Sequence, residues 1–166
     1  MNNLNLTRLV GDLLLETKVA TFKDGLAFFK VIAGKAFEDM NLNLMTHATS
    51  FEYTCNMLNE FIKPNKKLGY FSDLKNDTTK VKEFADSYCF INGIFPEALE
   101  NKLKSRAFYI DCTKRAYSLL SIRKNDSFYL LSKNIADYIK ALNTMKNKYL
   151  NGNYVKHVLS KDRVLH

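Results

Sequence analysis

The sequence predicts an all-α fold, a single-domain bundle of five to seven helices over residues 1–166. Three observations predict it. Glycine and proline number only six and two, whereas sandwiches and barrels with many tight turns use both freely. Residues 128–149 repeat apolar side chains at alternating steps of three and four, the period of one helix face. The chain is 46% apolar, with twelve Phe and nine Tyr, enough at this length to build a core without disulfide or metal staples.

The first forty residues read two ways. Leu9, Val10, Leu13 and Leu14 suit a helix capped by Thr7, and Phe22, Leu26, Phe29, Ala33 and Phe37 suit a second one. The alternative is a β-hairpin of Leu13 to Val19 and Leu26 to Ile32, turning through Lys23-Asp24-Gly25. The helical remainder of the chain favours the helices. Ser50 to Ile62 gives the next helix, with Phe51, Cys55, Leu58 and Ile62 as its stripe and Pro64 as its stop. Lys63 to Lys80 is polar and turn-rich and reads as the longest loop, with a short apolar turn at Tyr70-Phe71.

Residues 79–94 form a helix entered by Asp77-Thr78-Thr79, with Val81, Phe84, Ala85 and Tyr88 on one face. Its second half, Tyr88-Cys89-Phe90-Ile91, is apolar all round and therefore deeply buried. Gly93 and Pro96 interrupt it. Pro96 suits the first turn of a short new helix, with Glu97 and Glu100 near its positive end and Lys102, Lys104 and Arg106 near its negative end. Phe108 to Ser121 follows, carrying Phe108, Cys112, Ala116 and Leu119 or Leu120 at helical spacing, and it ends before the polar turn Arg123-Lys124-Asn125. In the last helix Phe128, Leu131, Ile135, Tyr138, Leu142, Met145 and Tyr149 share one stripe, Asp126 is the N-cap and Asn151-Gly152 the stop. That stripe is regular enough to serve either the core or a partner helix.

The formal charge of +8 is unevenly spread. Residues 1–100 hold 11 basic and 13 acidic side chains, whereas 101–166 hold 14 basic and 4 acidic. The densest run joins Lys102, Lys104, Arg106, Lys114, Arg115, Arg123 and Lys124, and Lys156, Lys161 and Arg163 extend it. With Tyr and Phe interleaved, these seven are the candidate phosphate contacts of a nucleic-acid-binding protein, since cations displace condensed counterions and aromatics stack on unpaired bases. Lysine predominates, however, where bidentate phosphate recognition favours arginine, and no helix-turn-helix, zinc finger or RNA-binding motif is present.

Catalytic signals are absent from the motifs. The sequence holds no GxSxG, P-loop, GxGxxG or HExxH. His47, His157 and His166 have no ligand partner three or four residues further along the chain, and Cys55, Cys89 and Cys112 form no CxxC, so no metal or cofactor is expected and the cysteines read as reduced core thiols. Asp111 and Asn92 sit among apolar neighbours. Asp111 could be an acid of raised pKa, but pairing with Lys114 or Arg115 is the simpler fate, and Asn92 can satisfy backbone groups near Gly93. Leu9 to Leu15 is broken by Gly11 and Asp12, unlike a signal peptide, and no stretch approaches a membrane span, so a cytoplasmic protein is expected.

Asp86, Gly93-Ile94-Phe95-Pro96-Glu97, Tyr109-Ile110-Asp111 and Ala116-Tyr117 together resemble a bacterial family of small, predominantly helical proteins without assigned function. The match covers about a fifth of the chain, and Cys112 stands where the family pattern prefers glycine. The resemblance implies an α-helical fold and no particular activity. The leading expectation is a non-enzymatic protein-binding or adaptor domain, with a homodimer as one form. Nucleic-acid binding through the basic half and an enzyme of unrecognised type are the alternatives.

Overall fold

A computed structural model describes residues 25–61, 77–100 and 102–150. Among them five α-helices follow one another: α1 (Gly25–Asp39), α2 (Ala48–Phe61), α3 (Thr78–Ile94), α4 (Arg106–Leu120) and α5 (Ser127–Thr144). A single 3-10 turn, Pro96–Leu99, links α3 towards α4, and α5 runs into a π turn at Met145–Tyr149. The predicted all-α bundle is the observed one, and no strand occurs among the described residues. The hairpin alternative fails where it can be checked, because Leu26 to Ile32 lie inside α1. Leu13 to Val19, the helix capped by Thr7, most of the expected loop and the Asn151-Gly152 stop lie outside the described residues.

The caps explain where helices begin. Asp77 accepts from the Thr79 amide at 2.9 Å to start α3, Ser105 accepts from Phe108 at 3.2 Å to start α4, and Asp126 accepts from Tyr129 at 2.7 Å to start α5. Each satisfies an amide that the helix itself leaves unpaired. Two asparagines, Asn41 and Asn125, adopt the left-handed conformation (φ 54° and 68°) that lets the chain reverse after α1 and before α5.

Helices α3, α4 and α5 pack against one another, while α1 pairs with α2 and rests on α5. The long stripe of α5 faces this core: Leu131, Ile135, Tyr138, Leu142, Met145 and Tyr149 are all buried, and Phe128 packs partly buried against it. That stripe therefore holds the domain together and is not a free face for a partner helix. Stacked Phe61 and Phe90 rings, 4.5 Å apart, bring α2 to α3, and stacked Phe37 and Tyr138 rings, 5.4 Å apart, bring α1 to α5.

Two expectations are corrected. Gly93 does not end α3, which continues through Ile94 with Phe95 as its C-cap. Its backbone is not in the left-handed region; a side chain is excluded there because a Cβ would lie 2.6 Å from Leu142 Cβ. The glycine lets α3 and α5 approach. The expected short helix after Pro96 is one 3-10 turn of four residues, so Lys102 and Lys104 lie beyond it in the connection and Arg106 already belongs to α4.

Gly93→Ala is expected to destabilise the protein by about 1–3 kcal/mol, the usual range for overpacking a tight core. Urea unfolding followed by circular dichroism measures it; an unchanged midpoint would mean that α3 and α5 separate at little expense.

Candidate functional site

The most concentrated polar chemistry lies inside the bundle, around Asp86 on α3. Asp86 is almost fully buried, at 3% exposure. Tyr53 of α2 donates to both carboxylate oxygens at 2.8 Å, Tyr117 of α4 donates to Oδ1 at 2.8 Å, and Lys82 Nζ reaches Oδ2 at 2.9 Å. A buried carboxylate is tolerated when its lone pairs are filled in this way. Burial first, and then the adjacent Asp86 charge, raise the Tyr53 and Tyr117 phenols far above their ordinary range. Both therefore stay protonated and remain donors. Cys89 lies in the same environment, and burial followed by the Asp86 charge pushes its thiol up to about 12. Phe128 of α5 closes the cluster, edge-on to Tyr53 at 5.1 Å and stacked on Tyr117 at 6.0 Å.

A second internal cluster surrounds Tyr138. Its hydroxyl meets Ser50 Oγ at 2.6 Å and His47 Nδ1, while Ser50 Oγ donates to the His47 carbonyl at 3.0 Å. Burial pushes the Tyr138 phenol up to about 12, against an opposing hydrogen bond from Ser50. The three groups join α1's neighbour α2 to α5 through a closed set of hydrogen bonds. Among the described residues no group of His, Cys, Asp or Glu is placed to hold a metal ion.

The seven basic candidates do not form one patch. Lys102, Lys104 and Arg106 line a cleft of about 330 Å³ with Pro96, Leu99 and Ser105. Lys114 borders a separate groove between α4 and α5, also of about 330 Å³, where Asp111, Lys133 and Asp137 mix the charges. Arg123 and Lys124 occupy the turn after α4. Since α4 has 15 residues, its two ends stand roughly 22 Å apart at 1.5 Å per residue. Arg106 also has a structural task, donating to the Asn92 carbonyl at 2.9 Å and thus capping the C-terminus of α3. Asn143 assists at the next carbonyl, that of Gly93, at 3.4 Å. Arg115 is tied to Asp111 at 3.0 Å.

Asp111 is exposed and ion-paired, so the simpler fate foreseen for it holds and it is not a buried acid. Asn92 is fully buried and donates to the Tyr88 carbonyl at 2.8 Å, while its own Oδ1 has no partner. Cys55 and Cys89 are buried thiols as expected, but Cys112 is only half-buried. The Asp86 cluster was not foreseen as a site, although Asp86 and Tyr117 bound the stretch that carries the family resemblance.

Comparison with protein-family models, with curated proteins and with solved structures found no match to this chain.

Tyr117→Phe is expected to destabilise the fold by about 1–3 kcal/mol by removing a donor from a buried charge, readable as a lower urea midpoint; no change would mean that water replaces the phenol. The tyrosine titration provides a second check. A phenol whose folded pKa is raised stabilises the fold fully below its unfolded value, near 10, and that contribution is lost as pH rises above it. Absorbance at 295 nm should show Tyr53, Tyr117 and Tyr138 ionising only together with loss of helix signal, whereas their ionisation in the folded protein would contradict their burial.

Proposed function

We propose that this chain is a non-enzymatic binding domain that acts through contact with another protein. The observation carrying this reading lies on α4 and its flanks. Leu119 is 79% exposed, Ile122 is 95% exposed and Leu103 stands fully in water. Leu119 and Ile122 stand together at the end of α4 beside Arg123 and Lys124, with Leu103 beyond its other end, and large aliphatic side chains exposed beside cations are the composition of a docking patch. The internal clusters support the same reading, because Asp86, Tyr53, Tyr117 and Tyr138 direct their polar atoms at one another across helices. No helix among the described residues is long and apolar enough to cross a membrane. The three free thiols suit a reducing compartment, and we place the protein in the cytoplasm.

One observation favours nucleic acid as the second reading: basic residues occur at both ends and in the middle of α4. Exposed leucine and isoleucine beside them add nothing to a phosphate contact, so the protein reading leads. A photo-reactive phenylalanine analogue placed in turn at Ile122, at the exposed Met45 and at the exposed Lys140 tests it. Irradiation in the source cells should give discrete protein adducts that survive nuclease. Nuclease-sensitive adducts would promote the second reading, and no protein adduct at any of the three positions would overturn the first.

A further inference from the structure

Helix α4 carries two apolar stripes, and only one of them faces the core. Ala116, Tyr117 and Leu120, together with Thr113, are buried against α3 and α5. The sequence spacing puts Phe108, Cys112, Ala116 and Leu119 or Leu120 on one face, and of these the fold buries Ala116 and Leu120; a second line runs beside them. Phe108, Cys112, Arg115 and Leu119 recur along α4 at steps of four, three and four, and Ile122 follows in the turn, beyond the extended C-cap Ser121. At 3.6 residues per turn, that line lies roughly 120° around the helix from the buried one. Phe108 and Cys112 are half-buried at its base, and Leu119 and Ile122 project into water at its tip. Steps of four and three make a narrow seam that fits one further helix.

Charge decides what kind of helix. Residues 102–124 contain seven cations and one carboxylate, Asp111, and Asp111 is already paired with Arg115. Lys104 stands over the Phe108 ring, 5.5 Å from its centroid. Asp126, the next acid, directs its carboxylate into the turn, accepting from the Ile122 and Arg123 amides at 2.8 and 3.1 Å. A second copy of this chain is disfavoured, because an antiparallel pair of α4 helices sets Lys102 and Lys104 against Arg123 and Lys124, and a parallel pair sets like residues together. A membrane surface needs a broad apolar face, and this seam is narrow and broken by Arg115.

Resting on the protein-binding reading above, we infer that the outer stripe of α4 seats an acidic amphipathic helix of a partner protein. Leu119 and, from the turn that follows, Ile122 enter its apolar seam, Cys112 and Phe108 form the base, and Lys102 and Lys104 meet carboxylates at one end of the seam and Arg123 and Lys124 at the other. The turn at Ile122–Lys124 is already held by Asp126, so the apolar tip is presented in place.

The test uses the full chain and a synthetic labelled peptide of about five helical turns, with leucine at alternating steps of three and four and glutamate on both flanks. Fluorescence anisotropy should give saturable binding in the micromolar range that weakens with salt. The double variant Leu119→Ser/Ile122→Ser should weaken it at least tenfold with an unchanged thermal midpoint, since both side chains stand in water. Arg123→Glu/Lys124→Glu should weaken the acidic peptide and create binding to the same peptide with lysine in place of glutamate. Alkylation provides a second readout. Cys55 and Cys89 are fully buried and Cys112 is half-buried, so Cys112 is the thiol an alkylating reagent reaches, and the acidic peptide should slow its alkylation.

Absence of saturable peptide binding, or binding indifferent to both double variants, would overturn the inference. So would uptake by vesicles of phosphatidylserine and phosphatidylcholine that the Leu119→Ser/Ile122→Ser variant abolishes while the peptide fails to bind, or self-association lost in that variant. If the photo-adducts form at Met45 or Lys140 but not at Ile122, this seat is wrong and the protein-binding reading stands; if none form at any position, that reading fails with it.

Discussion

Asp86 is the constraint on which the arrangement of the bundle depends. One carboxylate gathers Tyr53 from α2, Lys82 from its own helix and Tyr117 from α4, three donors whose positions cannot be changed independently. Removing any of them leaves charge in a region that water barely reaches, which is far more costly than losing a neutral hydrogen bond. The network therefore fixes the rotation of α4 about its own axis. With Tyr117 turned inward, Leu119 must face water.

That rotation also explains which parts of the molecule were legible in the sequence. The stripe of α5 is legible because seven apolar residues keep an unbroken period of three and four, with Lys133, Asp137 and Lys140 between them. The caps at Asp77 and Asp126 were legible because capping is local chemistry. Helix α4 is located correctly, but its rotation stays open between Leu119 and Leu120. Both Leu119 and Leu120 fit the stripe of Phe108, Cys112 and Ala116, and the choice between them depends on a carboxylate 31 residues earlier than Tyr117. No periodicity within the helix carries that information.

The same limit applies to Gly93 and to the basic run. A glycine near the end of a helix reads as a terminator, but here the reason for it is Leu142 on another helix, at a distance only the folded chain defines. The seven candidate basic residues are exposed as charge alone suggests, yet sequence proximity does not reveal that Arg106 turns back to the end of α3 or that Arg115 is tied to Asp111. Of the candidate site, the residue types were visible and their grouping was not. Tyr53, Asp86 and Tyr117 are separated by about thirty residues at each step, beyond the reach of any spacing rule.

The turn between α4 and α5 shows what such an arrangement does to recognition. Asp126 binds the amides of Ile122, Arg123 and Tyr129 and the hydroxyl of Ser121, so one carboxylate ties the end of one helix to the beginning of the next. A surface stitched in this way loses little freedom when it is touched. For the proposed partner helix, the ordering entropy then falls on the visitor and not on this turn.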